Sequence, residues 1–306
     1  MAKTILVTGA TGFIGQHVIK RLKKEKFKVE GISRHGGIIE DLPIDAVDLA
    51  NDTQFEDWRQ DKKFAAIIHL AADIPKQLTG LVAEKSFKTN ISSMLNILKL
   101  AHHSNSHIVY ASGTSAYGVK GKEDNPLLTE EHKPYPDELY YTSKYVGEIL
   151  CEQERRSRGL SYTSLRIAAP YGQACKHNTV INIFLKAALE SKNLTLYGSG
   201  KRTQDFIYVD DVVEAICLAL SKHTYGVFNI ASGIPVSMKT LAESVLEVVP
   251  NSSSQIVYSG KPDPQENYRA IFSIEKARQQ LGWLPKIGLL QGLQLTMEFL
   301  QEKYSC

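Results

Sequence analysis

A glycine-rich stretch near the start of the chain, "VTGATGFIG" (Val7–Gly15), constrains the fold more than any other part of the sequence. It follows an apolar run typical of a buried strand, and the residues after it have the apolar spacing of one helix face. In such a strand–turn–helix unit, Gly9 permits a tight turn, Gly12 lets a pyrophosphate approach the backbone, and Gly15 allows close helix–strand packing. The stretch predicts a dinucleotide-binding turn, with a purely structural turn as the alternative. The predicted contacts are Gly9, Thr11, Gly12, Phe13, Ile14 and Gly15.

Short apolar runs alternate with helical patterns along most of the chain. Strands are predicted at Thr4–Gly9, Lys28–Ser33, Ala65–Ala72, His107–Ser112, Tyr162–Ala169 and Tyr225–Ser232. This alternation predicts an α/β protein with a Rossmann-type, doubly wound parallel sheet. We expect residues 1–168, with a returning segment near 206–232, to form the dinucleotide-binding domain. Residues 169–205 and 233–306 are expected to form a smaller, mostly helical substrate lobe.

Composition excludes several classes of function. The 306 residues carry a formal net charge of +3, too small to argue for nucleic acid or a membrane surface as a partner. No apolar run approaches the ~18 residues of a membrane span, and no signal-peptide pattern precedes the first strand. The four cysteines form no C-x-x-C pair, and none lies at metal-ligand spacing from a histidine. These features predict free thiols, no metal site and a cytoplasmic protein.

The end of the second predicted strand bears on which dinucleotide is bound. NAD-binding folds of this type place an acidic residue there, which bonds the ribose 2′-hydroxyl. Here Ser33 and Arg34 occupy that place, so no carboxylate repels a 2′-phosphate and the guanidinium is able to pair with one. The pair favours NADP, with Arg34 stacked on adenine or facing solvent as the alternative. Asp48 and Leu49 are expected near the adenine edge.

The stretch "LYYTSKYVGE" (Leu139–Glu148) carries Tyr140 and Lys144 four residues apart, so on a helix they share one face. A phenol has a pKa of about 10, and a nearby ammonium favours its ionised form. Tyr140 is therefore a candidate general acid and base for a sugar or alcohol hydroxyl. Tyr141 is the competing phenol, and an ordinary amphipathic pair on a surface helix is the alternative.

Together these segments resemble an extended short-chain dehydrogenase/reductase of the nucleotide-sugar epimerase/dehydratase group, over nearly the whole chain. The matching segments are "TGATGFIG", "HLAA" (His69–Ala72), Asn90 in "FKTNISS", "YYTSK", "LRIAAPYG" (Leu165–Gly172), "LYGSGKRTQDFIYVDDVVEAI" and "LGWLP". The last two favour the nucleotide-sugar group over steroid or flavonoid relatives in the same superfamily.

The resemblance implies an NAD(P)-dependent reaction in which a hydride passes from a sugar carbon to the nicotinamide, giving a keto intermediate. Tyr140 would move the hydroxyl proton, while Lys144 would hold the nicotinamide ribose and lower the pKa of Tyr140. Further cofactor contacts implied are Leu70, Ala71, Ala72, Asn90, Ala111, Ile167 and Ala169. The nucleotide sugar would meet Ser112, Gly113, Thr114, Ala169, Tyr197, Arg202 and Arg269. A homodimer joined through Ile91–His103 and Tyr140–Arg156 is also implied.

The segment after the fourth predicted strand departs from the family pattern. Aligned on Tyr117 of "AYG", the family's catalytic serine or threonine falls on Gly113, which has no hydroxyl. We predict Thr114 as the replacement, ahead of Ser112 and a bound water, with purely local backbone bonding as the alternative. Sugar dehydratases of the family carry an acid two residues before the tyrosine. Ser115 stands there in this chain, which disfavours 4,6-dehydration.

A further departure lies on the substrate side. The asparagine of the family's R-x-x-N-x-Y-G segment is Ala169 here, and the usual arginine before "DF" is Gln204. Arg202, and after it Arg269, are the candidates for binding the nucleotide pyrophosphate, with solvated surface arginines as the alternative.

These features predict an NAD(P)-dependent nucleotide-sugar epimerase that acts at C4 through a 4-keto intermediate. An epimerase that keeps its cofactor resident would hold NAD. The main alternative is a 4-keto-sugar reductase that consumes NADPH, which Ser33 and Arg34 would suit. A dehydratase and a non-catalytic dinucleotide sensor are further alternatives, and the missing hydroxyl at Gly113 supports the sensor.

Overall fold

The computed structural model describes residues 4–118 and 127–304, in which helices alternate with strands. The helices are α1 (Phe13–Lys24), α2 (Asp52–Arg59), α3 (Gly80–Ser104), α4 (Leu139–Arg158), α5 (Val180–Leu189), α6 (Val209–Lys222), α7 (Met238–Val248) and α8 (Leu289–Tyr304). The strands are β1 (Thr4–Thr8), β2 (Lys28–Ser33), β3 (Gly37–Ile39), β4 (Leu42–Ala46), β5 (Ala66–His69), β6 (His107–Gly113), β7 (Leu127–Leu128), β8 (Tyr162–Ile167), β9 (Ala169–Tyr171), β10 (Leu194–Leu196), β11 (Thr203–Gln204), β12 (Phe206–Tyr208), β13 (Gly226–Ile230), β14 (Val236–Ser237), β15 (Ile256–Tyr258) and β16 (Ile271–Phe272). A 3-10 turn, Thr114–Tyr117, follows β6 directly.

The main sheet runs in the order β13-β8-β6-β5-β1-β2-β4-β3 among the described residues. Its neighbouring strands are parallel except for β3 and β4, an edge hairpin that the sequence did not predict. Val7 of β1 lies opposite Gly31 of β2 and Ile68 of β5. Because parallel strands end at one edge, the segments that follow β1, β2, β5, β6 and β8 meet there. The predicted Rossmann-type α/β fold is confirmed.

Helices cover both faces of this sheet, because its central strands are apolar on successive residues. Val7 belongs to one core with Val18 of α1 and Val212 of α6. The preceding residue, Leu6, belongs to the opposite core with Met94 of α3. Successive side chains point to opposite faces because the strand is pleated. Cys151 of α4 belongs to the same core as Met94, so α4 and α3 cover the same face of the sheet.

A further core lies beside the sheet and is built mainly from α5, α7 and α8. Phe184, Leu241 and Leu293 are among its buried side chains. The returning segment divides between the two regions, since β13 joins the main sheet whereas β12 pairs with β9 outside it. The domain boundaries stay a prediction. They assign residues 1–168, with a return near 206–232, to the dinucleotide-binding domain, and residues 169–205 and 233–306 to the substrate lobe.

Residues 4–118 and 127–304 include no helix that is both long and apolar enough to span a bilayer. Within the same ranges, no three His, Cys, Asp or Glu side chains cluster in a way that could hold a metal ion. Cys151, Cys175 and Cys217 are free thiols. Cys306, the fourth predicted free thiol, lies outside the described residues.

Candidate active site

The strand ends of the main sheet border a cavity of about 680 Å³, a size typical of small-molecule sites. Its other walls come from the start of α4 and from later residues that include Gln265 and Tyr268. The predicted site residues that line it are Gly9, Thr11, Gly12, Phe13, Ile14, Gly15, Ser33, Arg34, Asp48, Leu49, Leu70, Ala71, Ala72, Ala111, Ser112, Gly113, Thr114, Tyr140, Lys144, Ile167, Ala169 and Arg202. Asn90, Tyr197 and Arg269 lie outside this lining, contrary to expectation.

The turn between β1 and α1 needs its glycines. Gly9 has a φ of +66°, and a Cβ there would lie 2.8 Å from the backbone nitrogen of Ala71. A Cβ at Gly12 would lie 2.9 Å from the Gly9 carbonyl oxygen, and one at Gly15 would collide with the same oxygen. The three positions therefore exclude side chains for steric reasons, which keeps the backbone of the turn accessible from the cavity.

The N-terminus of α1 fits the phosphates of a dinucleotide. Gly12 is the N-cap residue of α1 and has no side chain that could cap the helix, and the first turn of α1 contains no acidic residue. Gly12 and Phe13 line the cavity, so the unpaired N–H groups and the positive end of the helix dipole are presented to it without a competing anion.

Arg34 lies at the cavity wall, where it was predicted, but it already has a partner. Its Nη2 lies 3.0 Å from Oδ1 of Asp73, the residue that follows the end of β5 by four positions. A hydrogen bond from Ser86, and then the pairing with Arg34, hold the pKa of Asp73 below its usual value. The Ser33 hydroxyl donates to the Gly36 carbonyl oxygen at 3.2 Å. Any 2′-phosphate bound here would have to share the guanidinium with Asp73.

The first turns of α4 place Tyr140 and Lys144 on the cavity wall. Lys144 is 7% exposed, and its Nζ donates to the Ala111 carbonyl oxygen at 2.9 Å, which ties α4 to the end of β6. Burial lowers the pKa of Lys144 to about 8, so the ammonium predominates at neutral pH. Burial, with a smaller effect of Tyr141, raises the pKa of Tyr140 above its usual value. Desolvation thus dominates the pKa of Tyr140 among the protein's own groups, and the lowering of this pKa by Lys144 stays a prediction.

Asn90 connects the end of β5 to α4 instead of lining the cavity. Its Oδ1 accepts from the backbone nitrogen of Asp73 at 2.7 Å. Its Nδ2 donates to the Asp73 carbonyl oxygen and to Ser143 Oγ, each at 3.1 Å. The Asn90 amide thus holds the helix that carries Tyr140, and its predicted contact with the cofactor stays a prediction.

The Ser112 hydroxyl is engaged in a buried ion pair that the sequence did not predict. It donates to Oε1 of Glu148 at 2.5 Å. Arg166 of β8 donates from Nε to the same oxygen at 3.0 Å and from Nη2 to Oε2 at 2.7 Å. Both charged side chains are only 4% exposed. Ser112 therefore lines the cavity, but its hydroxyl is committed to the Glu148 carboxylate rather than to a ligand.

Of the three predicted substrate residues from the later part of the chain, Tyr197, Arg202 and Arg269, only Arg202 lines the cavity. Arg202 lies there, with its Nε 2.8 Å from Oδ2 of Asp263. Arg269 donates from Nη1 to the backbone carbonyl oxygens of Glu266 and Tyr268, at 2.8 and 2.9 Å. Tyr197 is 52% exposed and lies away from the cavity lining. Arg202 thus remains the stronger of the two candidates for the nucleotide pyrophosphate.

The end of β6 brings three small residues to the cavity. Gly113 closes the strand with extended backbone, at φ −146° and ψ 151°. Thr114, the predicted hydroxyl donor, begins the 3-10 turn and is 8% exposed. Ser115 lines the cavity as well and is partly exposed. Sequence reasoning did not consider the Ser115 hydroxyl as a ligand contact, because its direction depends on the turn geometry.

The fold and the cavity define a class: a dinucleotide-binding α/β protein with a Tyr–Lys pair at the carboxyl edge of its sheet. A sequence model of the NAD dependent epimerase/dehydratase family matches residues 5–231. The chain belongs to this family, and it is an enzyme of the extended short-chain dehydrogenase/reductase type, as the motifs predicted.

Known proteins of similar sequence carry more than one activity. The putative UDP-glucose 4-epimerase of Methanocaldococcus jannaschii is 29% identical over 314 residues, covering 97% of this chain and 98% of that protein. UDP-glucuronic acid decarboxylase 1 of Arabidopsis thaliana is 29% identical, over 94% of this chain and 68% of that protein. Relatives of equal identity thus differ in the reaction that their names give, so sequence similarity alone does not select one of these reactions.

Solved structures of similar fold include enzymes with bound ligands. The UDP-glucose 4-epimerase of Thermotoga maritima with UDP-glucose has a TM-score of 0.89 at 28% identity, covering 98% of this chain and 99% of that one. The UDP-glucose 4-epimerase of Thermus thermophilus in complex with NAD has a TM-score of 0.87 at 25% identity, covering 97% and 99%.

Proposed function

We propose that this chain is an NAD(P)-dependent nucleotide-sugar epimerase that acts at C4 of the sugar through a 4-keto intermediate. The observation that carries the proposal is one cavity lined by the glycine turn, by Tyr140 and Lys144, and by Arg202. Such a cavity has a place for a dinucleotide at one end and for a nucleotide sugar at the other. The similarity to UDP-glucose 4-epimerases in sequence and fold supports this reaction.

In this proposal the chain binds the dinucleotide and the nucleotide sugar, orients them, and moves one proton. The turn Gly9–Gly15 receives the dinucleotide phosphates, and Lys144 holds the nicotinamide ribose by its ammonium. A bound nicotinamide dinucleotide supplies reversible hydride acceptance. Tyr140, as the phenolate, takes the proton of the C4 hydroxyl as the carbonyl forms, and as the phenol it returns that proton when the opposite face is reduced. Arg202 holds the nucleotide diphosphate of the substrate.

A ligand screen tests the substrate class. UDP-, dTDP-, GDP- and CDP-sugars are added to the protein with NAD⁺ or NADP⁺, and the melting temperature is measured. A sugar nucleotide that binds the native state at 100 times its Kd stabilises it by about 2.7 kcal/mol, which raises the melting temperature by roughly 5 °C. The absence of any shift with all four classes would contradict a nucleotide-sugar enzyme.

Cofactor stoichiometry then separates the two candidate reactions. An epimerase converts its sugar with no net consumption of NAD(P)H, whereas a 4-keto-sugar reductase oxidises one NADPH for each sugar reduced. The observation that favours the reductase is Arg34, which directly follows β2 in place of the acidic residue that NAD-binding folds carry there. Product analysis by NMR, together with absorbance at the nicotinamide band, decides between the two.

Arg34 gives a measurable expectation for the cofactor. We expect the protein to bind NADP⁺ more tightly than NAD⁺, and Arg34→Ser to weaken NADP⁺ binding roughly tenfold with little change for NAD⁺. The reason is that the guanidinium pairs with a 2′-phosphate that only NADP⁺ carries. Isothermal titration of both dinucleotides into both proteins measures the difference. Equal losses for the two dinucleotides would instead indicate stacking of Arg34 on the adenine, and tighter NAD⁺ binding by the unmodified protein would indicate a resident-NAD epimerase.

We also propose a homodimer joined through α3 and α4, which pack against each other. Each helix presents an exposed apolar side chain, Leu95 at 45% and Ile149 at 46% exposure. Nε2 of His102 on α3 lies 2.5 Å from Oε2 of Glu154 on α4, so the two helices offer one continuous surface. Sedimentation velocity at micromolar concentration tests the dimer, and a monomer would contradict it.

A further inference from the structure

The space left by the missing side chain at Gly113 is occupied by a neighbouring hydroxyl. Apart from the adjoining residues Ser112 and Thr114, the nearest atom to a Cβ built on Gly113 would be Ser115 Oγ, at 3.1 Å, and the next atoms would be 3.8 Å or more away. The 3-10 turn that begins at Thr114 curls the chain back, so the side chain at position 115 reaches the region that a side chain at position 113 would enter. Gly113 and Ser115 both line the cavity.

We propose that Ser115, two residues beyond the vacant position, donates its hydroxyl hydrogen bond to the sugar hydroxyl that Tyr140 deprotonates. The proposal rests on the nucleotide-sugar function proposed above. Ser115 keeps its own proton throughout and forms no covalent bond. Its role is to orient the reacting oxygen and to stabilise the negative charge that builds up as the proton leaves.

The other hydroxyls at this end of β6 are less suited to this role. Ser112 donates to the buried Glu148 carboxylate at 2.5 Å, so its proton is already engaged. Thr114 is buried, at 8% exposed, whereas Ser115 is partly exposed at the cavity wall. Among residues 4–118 and 127–304, no hydrogen-bond partner engages Ser115 Oγ, which lies at the cavity wall.

The chemistry of the site creates a need for such a donor. Tyr140 is half-buried, and desolvation of its phenol disfavours the ionised form. The Lys144 ammonium already donates one bond to the Ala111 carbonyl oxygen. When Tyr140 takes the proton, negative charge builds up on the sugar oxygen. An O–H that donates to this oxygen stabilises the charge directly.

Moving the hydroxyl between the two positions tests the proposal. Ser115→Ala is expected to lower kcat roughly 10- to 100-fold, with a smaller change in KM, because the lost bond strengthens as the charge builds up. The double variant Gly113→Ser with Ser115→Ala should recover at least a third of the wild-type kcat. Position 113 accepts the new side chain, since its backbone is extended and its closest neighbour, the Ser115 hydroxyl, has been removed.

The assay uses UDP-glucose with the preferred dinucleotide, or the sugar nucleotide that gives the largest shift in the ligand screen. The melting temperature of each variant is measured in parallel. A Ser115→Ala enzyme as active as the wild type overturns this inference but not the proposed function. The same holds if Ser115→Ala lowers kcat and the double variant, at unchanged melting temperature, does not restore it. A larger loss for Thr114→Val than for Ser115→Ala overturns it in favour of Thr114. A wild-type protein that converts no nucleotide sugar overturns both this inference and the function on which it rests.

Discussion

Replacing Tyr140 by phenylalanine is expected to lower kcat by roughly 10²- to 10⁴-fold, the usual contribution of a positioned general acid and base. The change removes only the phenolic oxygen. The aromatic ring remains, so its edge contact with Tyr141, at 5.9 Å between ring centroids, is retained. Lys144 keeps its bond to Ala111, and the glycine turn is untouched. Binding of the dinucleotide, measured by titration calorimetry, is therefore expected to change by less than the rate.

Tyr145→Phe is the matched control for this variant. Tyr145 lies on the same helix, α4, but outside the cavity that Tyr140 lines. We expect it to retain the wild-type rate, so a loss confined to Tyr140→Phe identifies the phenol and not a disturbance of the helix. A Tyr140→Phe enzyme with the wild-type kcat would contradict the assignment of Tyr140 and would favour Tyr141 as the general acid and base. Unchanged cellular function of a catalytically inactive Tyr140→Phe protein would favour a dinucleotide sensor.

Arg166→Met is expected to lower the free energy of unfolding by about 3–5 kcal/mol, the usual effect of removing one partner of a buried ion pair. The Glu148 carboxylate would be left 4% exposed, with the Ser112 hydroxyl as its remaining side-chain donor. The guanidinium also lies 4.7 Å from the centre of the Tyr117 ring, a cation–π contact that the variant loses. Denaturant unfolding followed by circular dichroism measures the difference.

A double variant separates the lost pairing from lost packing. Glu148→Met together with Arg166→Met removes both charges and fills the space with apolar atoms, so it is expected to recover most of the stability. Arg278→Met is the control, because Arg278 forms an exposed pair with Glu275 and its loss should leave stability nearly unchanged. An Arg166→Met protein as stable as Arg278→Met would show that the buried pair is not structurally important.

The parts of the site that sequence reasoning predicted are local in the chain. The turn from Gly9 to Gly15 is a short strand–turn–helix unit, and its glycines are recognisable because neighbouring backbone atoms exclude a Cβ. Tyr140 and Lys144 are one helical turn apart, so their shared face follows from helix geometry alone. The strand pattern was equally informative, because buried parallel strands are apolar on successive residues.

The residues that were missed or misplaced depend on contacts between distant segments. Glu148 and Arg166 meet across α4 and β8, and the only sequence signals were a carboxylate one turn after Lys144 and an arginine inside an apolar strand. Asn90 was expected at the cofactor, but its amide bonds Asp73 and Ser143. The spacing of apolar residues within one helix or strand does not predict such pairings, because they depend on how two distant elements pack against each other.

The sequence by itself determined the parallel α/β sheet, the dinucleotide turn and the Tyr–Lys pair, because each follows from spacing within one element or between adjacent ones. Only the tertiary structure decided how the hydroxyls at the end of β6 are directed and which of them already has a partner. The Ser112 hydroxyl donates to Glu148, which is 36 residues away in the sequence. The 3-10 turn instead places Ser115 Oγ 3.1 Å from the position that a Cβ of residue 113 would take. The physical reason is that a side chain's direction at a strand end depends on the local turn and on its partners in other elements, and neither is encoded in residue spacing.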